Sequence, residues 1–194
     1  MAVEYGPRVA NEGLVFAFDS ASNFSYGGSG TTVNGLAIGV DASLVNGADH
    51  QGYSLAVENS GGYMMLDGAN DYVQTNDITL DSNRITVDCF VRAGTATTAQ
   101  VLFEFSSNYT TVNDGFLVSY YDTYSGKKQS PSQPQSGHNA DNSSTNFGTH
   151  KLFIGGRDGA VGPLLGDVAN LRVYNRLLSE DEIRSNYLAL KNRF

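Results

Sequence analysis

The sequence predicts an all-β fold, in which two antiparallel sheets pack as a sandwich and a short helix follows the last strand. Many short runs alternate apolar with polar residues, which is the pattern of strands that bury one face. Turn-forming residues separate these runs, and the chain holds 22 Gly. One segment near the C-terminus has the pattern of a capped helix. These observations together favour a two-sheet antiparallel sandwich.

The alternating runs define the predicted strands in chain order. In the first run, Leu14, Phe16 and Phe18 lie on one face. Asn46-Gly47 is a residue pair typical of tight hairpin turns. The further predicted strands are two short ones around a Gly turn in 63–73, followed by 85–91, 101–105, 116–120, 151–154 and 168–174.

The predicted helix covers residues 180–190. Ser179 and Glu182 have the spacing of a capping box, in which the Ser hydroxyl binds the Glu182 amide and the Glu182 side chain reaches back. Acidic residues in a first turn also offset the helix dipole. We therefore expect structural roles for both residues. Ile183, Tyr187 and Leu190 share one face of this helix.

The charge and the cysteine count exclude several classes of protein. Lys and Arg number 12 against 20 Asp and Glu, a net charge of −8. An acidic chain without a basic run is poorly suited to nucleic acid or to an anionic membrane. Cys89 is the one cysteine, so no intrachain disulfide forms, and we expect a buried thiol. The first residues lack the pattern of a signal peptide, so we expect synthesis in a cytoplasm.

Three stretches resemble segments of a known superfamily. Gly-Asp-Val-Ala-Asn-Leu-Arg-Val-Tyr-Asn-Arg in 166–176 resembles the closing strand of laminin-G-like domains, which belong to the concanavalin A-like superfamily. The stretch 63–73 resembles that family's F-D-G-x-N-D-Y-V element. Residues 13–32 resemble the opening of laminin-G-like proteins of bacteriophage particles. The resemblance implies a concanavalin A-like jelly roll and a place in a virion.

The resemblance predicts two parts of the chain, an N-terminal arm (residues 1–13) and a single laminin-G-like domain (residues 14–194). It lapses at about 121–150, where the family has a Trp-containing strand and this chain has a polar segment. That segment is longer than ordinary structureless loops. It is either a surface loop or an arm that becomes ordered against a neighbouring subunit.

If the polar segment is an arm, its aromatic, basic and proline residues are the partner-binding candidates. These candidates are Tyr121, Tyr124, Lys127, Lys128, Pro131 and Pro134.

A glycan site needs an exposed aromatic ring with polar groups beside it. Tyr120 and Asp122 are the candidates for such a site.

Carboxylates in turns are the remaining candidates for a site. Asp67 and Asp71 are expected to bind nearby backbone amides, as Asx residues do in turns. Asp167 is expected to bind buried backbone donors. All three are therefore predicted to be structural. Calcium stays open as an alternative because laminin-G-like relatives often hold it with such oxygens; no other cofactor or metal is expected.

The pattern of acidic residues differs from that of the glycosidases in the resembled superfamily. Glycosidases of the resembled superfamily carry an E-x-D-x-x-E run that supplies the paired carboxylates, and this chain lacks one. We therefore expect a non-enzymatic bacteriophage virion structural protein, a capsid decoration (cement) subunit bound to the head and able to form homo-oligomers. The alternative is a tail, fibre or lectin-like module that binds host cell-surface glycans. An unusual glycan hydrolase is a third hypothesis.

Overall fold

The computed structural model describes residues 8–37, 39–51, 62–94, 99–106, 115–120, 146–157 and 161–192. In these residues the protein is mostly β, with antiparallel sheets, one of them curled into a half-barrel, and one short helix near the C-terminus. The predicted all-β class and the terminal helix are confirmed. Apolar side chains from both large sheets meet in one core, as in a sandwich.

The longer strands coincide with the predicted alternating runs. Several strands of two to four residues were not predicted, because they are too short to show an alternating pattern. In the described residues the elements are β1 (Leu14–Asp19), β2 (Thr32–Val33), β3 (Ala42–Val45), β4 (Asp49–Gln51), β5 (Tyr63–Asp67), β6 (Tyr72–Thr75), β7 (Ile78–Thr79), β8 (Thr86–Ala93), β9 (Gln100–Phe105), β10 (Phe116–Tyr120), β11 (Thr149–His150), β12 (Leu152–Ile154), β13 (Leu165–Tyr174) and the helix α1 (Glu180–Leu190).

Strand β13 organises the first large sheet, sheet A. One of its edges pairs with β8 from Gly166 to Tyr174. Its other edge pairs with β5 at the start and with β1 at the end, and β4 extends the sheet beyond β5. The second large sheet, sheet B, has the order β10-β9-β12-β6-β3-β2, and β11 pairs with β7 separately. Each of these strand pairs is antiparallel.

The alternation of apolar residues fixes which face of each strand enters the core. Phe16 and Phe18 of β1 are completely buried. Val87, Cys89 and Val91 of β8 pack against the same core, as the sequence predicts. Burial raises the pKa of the Cys89 thiol to about 12, helped by the charge of Asp88. The thiol is therefore protonated at neutral pH, as expected of an apolar core residue.

The Asn46-Gly47 turn does not make the predicted hairpin. Both residues have positive φ, 65° and 142°, as tight turns require. However, β3 before the turn pairs with β6 in sheet B, and β4 after it pairs with β5 in sheet A. The turn therefore carries the chain from one sheet to the other. Asn46 Nδ2 donates to the carbonyl oxygen of Asn70 at 3.0 Å, which fixes the turn against the loop between β5 and β6.

The helix has the predicted capping box but buries a different face. Ser179 Oγ accepts from the Glu182 amide, and Glu182 Oε2 accepts from the Ser179 amide at 2.8 Å. Leu190 is buried as its periodicity suggests, but Ile183 is exposed. The described helix is too short and too polar to cross a bilayer.

Candidate functional site

The polar residues of the β13 motif lie on the outer face of sheet A, which points away from the core. Val168, Leu171 and Val173 face the core, and a bulge between Val168 and Asn170 keeps the alternation on both sides of it. Arg172 Nη1 donates to Asn170 Oδ1 at 3.0 Å. Asn170 Nδ2 is buried and has no hydrogen-bond partner among the described residues.

Helix α1 and the N-terminal segment cover this outer face through a polar network centred on Asn186. The Asn186 amide nitrogen donates to Asp88 Oδ2 at 2.8 Å and to the Tyr174 hydroxyl at 3.1 Å. Its oxygen accepts from the Ala10 amide at 2.8 Å, and the Tyr174 hydroxyl donates to the Ala10 carbonyl at 3.1 Å. Burial raises the pKa of Tyr174. These bonds attach residue 10 of the predicted arm to the sandwich.

A second set of contacts fixes the start of α1. Arg176 donates from both terminal nitrogens to the two carboxylate oxygens of Glu182, at 2.9 Å and 2.6 Å. Its Nε donates to the carbonyl oxygen of Glu12. The Arg176 hydrogen bonds, with help from the Ser179 amide, lower the pKa of Glu182 to about 2. Glu182 and Ser179 therefore hold the helix and the N-terminal segment in place.

Asp167 has a different partner from the one that the sequence suggests. Arg92 Nε donates to Asp167 Oδ2 at 2.6 Å, whereas we expected buried backbone amides. The cause is the strand register, because Arg92 of β8 lies directly opposite Asp167 of β13. The Arg92 guanidinium also lies over the Tyr63 ring, 5.8 Å from its centroid. Asp167 thus belongs to an ion pair in which the carboxylate is nearly buried and the Arg92 side chain is largely exposed.

Asp67 and Asp71 form a closed turn between β5 and β6. Asp67 Oδ1 accepts from the amides of Ala69 and Asn70, and Asp71 Oδ2 accepts from the amide of Asp67 at 3.2 Å. The Ala69 bond is the main cause of a lowered pKa for Asp67, while burial raises the pKa of Asp71. In the described part of the chain, no group of three or more His, Cys, Asp or Glu side chains is arranged to hold a metal ion.

The outer face of sheet B carries a cluster of polar residues that was not predicted from the sequence. Phe103 and Phe105 of β9 enter the core, so Glu104 between them points outward. Glu104 is nevertheless only 3% exposed. Ser106 Oγ donates to Glu104 Oε1 at 2.9 Å, and Arg157 Nε donates to Glu104 Oε2 at 3.3 Å. A carboxylate between two aromatic core residues is the signal that could have revealed it.

Aromatic rings lie next to this carboxylate. Phe153 of β12 is directly opposite Glu104 in the register, and Gln74 of β6 is opposite Phe153. The rings of Tyr72 and Phe153 have centroids 6.0 Å apart and are tilted by 51°. We call Glu104, Ser106, Arg157, Tyr72 and Phe153 the Glu104 cluster. A carboxylate, a guanidinium and aromatic rings are the groups that recognise sugars or polar protein surfaces.

Most of the binding residues predicted from the sequence cannot be compared with this cluster. Tyr120 ends β10, opposite Gln100 of β9. The other glycan candidate, Asp122, lies outside the described residues. The same is true of all the partner-binding candidates, which are Tyr121, Tyr124, Lys127, Lys128, Pro131 and Pro134.

Comparison with known proteins shows a likeness in fold. No family model matches the chain, and no curated protein matches it. A solved structure, Trypanosoma rangeli sialidase in complex with sialic acid, superposes with a TM-score of 0.52 at 15% sequence identity. The match covers 94% of this chain and 34% of the sialidase chain, so this chain spans about a third of that protein. At this identity the likeness supports a β-rich fold and no finer family.

This comparison corrects one expectation from the sequence. The missing E-x-D-x-x-E run led us to expect a protein that is not an enzyme. A solved structure that the chain resembles is that of a sialidase, which is an enzyme. The absence of one family's carboxylate pattern is therefore no ground for excluding catalysis, because unrelated chemistries share one fold.

Proposed function

We propose that the chain is a bacteriophage virion structural protein, a capsid decoration subunit built on a concanavalin A-like jelly roll. The observation that carries this proposal is the resemblance of residues 13–32 to the opening of phage particle proteins, a stretch that has defined contacts in the structure. Ser25 is completely buried, and its hydroxyl accepts from the Asp19 amide and donates to the Asn34 carbonyl. Tyr26 donates to the Gly30 carbonyl at 2.7 Å. Residues that carry the resemblance thus have defined roles in closing one corner of the sandwich.

Mass spectrometry of purified virus particles from the source lysate tests this proposal. A copy number close to that of the major capsid protein is the expected result for a decoration subunit. A much smaller number supports a tail or fibre location instead and contradicts the decoration role. Absence of the chain from particles overturns the virion proposal altogether.

The polar segment offers a sharper test of how the subunit attaches. We expect a variant that lacks residues 125–145 to fold but to lose affinity for particles stripped of this protein. The deletion stops at 145 because Phe147 packs against Phe116, with ring centroids 5.6 Å apart, and its amide donates to the Ser82 carbonyl. Unchanged binding in a sedimentation assay would show that attachment uses another surface.

A second candidate function, binding of host cell-surface glycans, is favoured by the Glu104 cluster. Its partly exposed groups are the Arg157 guanidinium, which can bind sugar hydroxyls, and the Tyr72 ring, which can pack on a sugar face. Glu104 and Phe153 are buried and hold these two groups in position. The sialidase structure was determined with sialic acid, so acidic sugars belong in the panel of probes. In this proposal the Glu104 cluster replaces Tyr120 and Asp122 as the glycan site.

Glycan array screening followed by calorimetry tests the second candidate. We expect saturable binding that is lost in Tyr72→Ala and retained in Tyr63→Ala. Tyr63 is a matched control because it is a Tyr on the outer face of the opposite sheet, away from the Glu104 cluster. Equal loss in both variants, or no binding by the parent chain, would rule out a glycan site at this cluster.

A further inference from the structure

Six residues form a solvent-exposed face of α1. They recur at spacings of three and four, so they lie on one side of the helix. Three of them are apolar or aromatic and remain far from buried, with exposed fractions of 46% for Ile183, 52% for Tyr187 and 36% for Leu188. We call the following residues the helix face: Glu180, Ile183, Arg184, Tyr187, Leu188 and Lys191.

The aromatic ring at the centre of the helix face is held in place. The ring of Tyr187 stacks on that of Phe90 in β8, with centroids 6.1 Å apart and an interplanar angle of 4°. The Lys191 ammonium lies 5.9 Å from the Tyr187 ring centroid. A ring fixed by its own sheet loses little conformational freedom when it binds a partner. The helix face is therefore suited to contact another surface.

The charge of the helix face changes from negative at the start of α1 to positive at its end. Glu180 lies at the start of α1, Arg184 near its middle, and Lys191 at its C-cap. A second copy of the helix, running in the opposite direction, places a basic end against each acidic end. The helix dipoles of the two copies are then also antiparallel, which is favourable. The pattern is thus complementary to itself, as an isologous two-fold contact requires.

We propose that the helix face binds a second copy of this chain, with the two α1 helices antiparallel about a two-fold axis. In this register Glu180 faces Lys191 of the partner copy, and Ile183 faces Leu188 of the partner copy. Arg184 faces Tyr187 of the partner copy, which gives a cation–π contact. Symmetry makes each contact occur twice. The three contacts pair acid with base, apolar with apolar, and guanidinium with aromatic ring.

The size of the helix face sets the strength of this dimer. An 11-residue helix is about 16 Å long. A contact of that length buries less than the roughly 1,200–2,000 Å² of a stable protein interface. We therefore expect a weak dimer that forms as concentration rises. The proposal is independent of the proposed function, because it concerns only how two copies meet.

Sedimentation velocity of the full chain over a range of concentrations tests this contact. The expected result is a concentration-dependent shift from monomer to dimer. We expect Glu180→Lys and Lys191→Glu each to weaken dimerisation roughly three- to ten-fold, because each turns two exposed attractive pairs into repulsive ones. The double variant restores both pairs with their charges exchanged, so it should regain most of the affinity.

A matched control uses another exposed aromatic residue. Phe24 is 86% exposed and lies in the loop after β1, so Phe24→Ser should leave the dimer intact. Circular dichroism checks that every variant is folded. A chain that stays monomeric at all concentrations overturns the proposal. A dimer that the charge reversals do not weaken, or that the double variant does not restore, shows that the copies meet elsewhere and also overturns it.

Discussion

The outer faces of the two large sheets both bury polar side chains, but they satisfy them differently. On sheet A, whose outer face also carries the Arg92–Asp167 ion pair, a network of mostly neutral groups links Asn186 to Tyr174, the Ala10 backbone and the Asp88 carboxylate. On sheet B, the buried Glu104 carboxylate is held by one hydroxyl and by the guanidinium of Arg157. The first arrangement divides its hydrogen bonds among several groups, whereas the second depends on one pair of charges.

This difference predicts how much stability is lost when residues of each cluster are substituted. A buried charge is tolerable only while its partner is present, because removing the partner leaves an uncompensated ion. A neutral network loses individual hydrogen bonds, each at a smaller cost. We therefore expect the Glu104 cluster to respond more strongly to substitution than the Asn186 network.

The largest effect is expected for Arg157→Ala. The substitution leaves the Glu104 carboxylate buried with Ser106 as its remaining hydrogen-bond partner among the described residues, and we expect a loss of about 3 kcal/mol in the free energy of unfolding. Urea denaturation measures it. Glu104→Gln is the matched control, because it removes the charge and keeps the shape, and its cost should be about 1 kcal/mol. Equal losses in the two variants would mean that the ion pair does not decide the stability of this face.

A smaller effect is expected for Asn186→Ala. The change removes the partner of the Ala10 amide and a donor to Asp88, so we expect a loss of about 2 kcal/mol. Hydrogen exchange should show faster exchange of the Ala10 amide, because its acceptor is gone. Arg184→Ala on the exposed side of the same helix, measured at concentrations where the chain is monomeric, is the control and should stay within about 0.5 kcal/mol. Slow exchange at Ala10 in the variant would contradict the network.

The smallest effect concerns pH and the start of α1. The pKa of Glu182 is about 2 in the folded protein, below its ordinary value of 4.5, because Arg176 and the Ser179 amide stabilise the carboxylate. Its contribution to stability is therefore fully present above pH 4.5 and is lost as the pH falls towards 2. Unfolding curves of the parent chain and of Glu182→Gln should converge over this range. A constant difference between them would sink the prediction.

The contribution of Asp71 to stability should change with pH in the opposite direction to that of Glu182. Burial raises its pKa, so the folded chain binds this proton more tightly than the unfolded chain does. The contribution of Asp71 to stability therefore grows as the pH falls through its folded pKa. Asp71→Asn removes that titration, and the stability difference between parent and variant should shift with pH in the direction opposite to that of Glu182→Gln.

The sequence predicted the parts of the fold that long alternating runs specify. The runs at β1, β8, β9 and β13 have six to ten residues, long enough for a two-residue period to be counted. Asn46-Gly47 gave the correct local backbone but the wrong pairing, because a turn does not determine whether its flanking strands enter the same sheet. That choice depends on contacts with residues far along the chain.

The candidate site was harder to predict. Periodicity ranks helix faces by apolar residues, so it could not show that Asn186 would be buried against Tyr174 and Asp88. Glu104 looked like a solvent-facing residue of an alternating strand. Its charged partner, Arg157, lies 53 positions later in the chain. The sequence of β9 marks Glu104 as a carboxylate between two core residues, but it does not identify a partner so far along the chain.

The central position of β13 has a consequence for how the chain folds. This strand follows every other strand of the described sequence, yet β1, β5 and β8 all pair with it. During synthesis, those three strands leave the ribosome with their partner edges open until β13 emerges. Sheet A must therefore assemble late, through contacts between distant positions, which makes folding slow. Holding β1 and β8 apart until that moment is a task that a chaperone could perform.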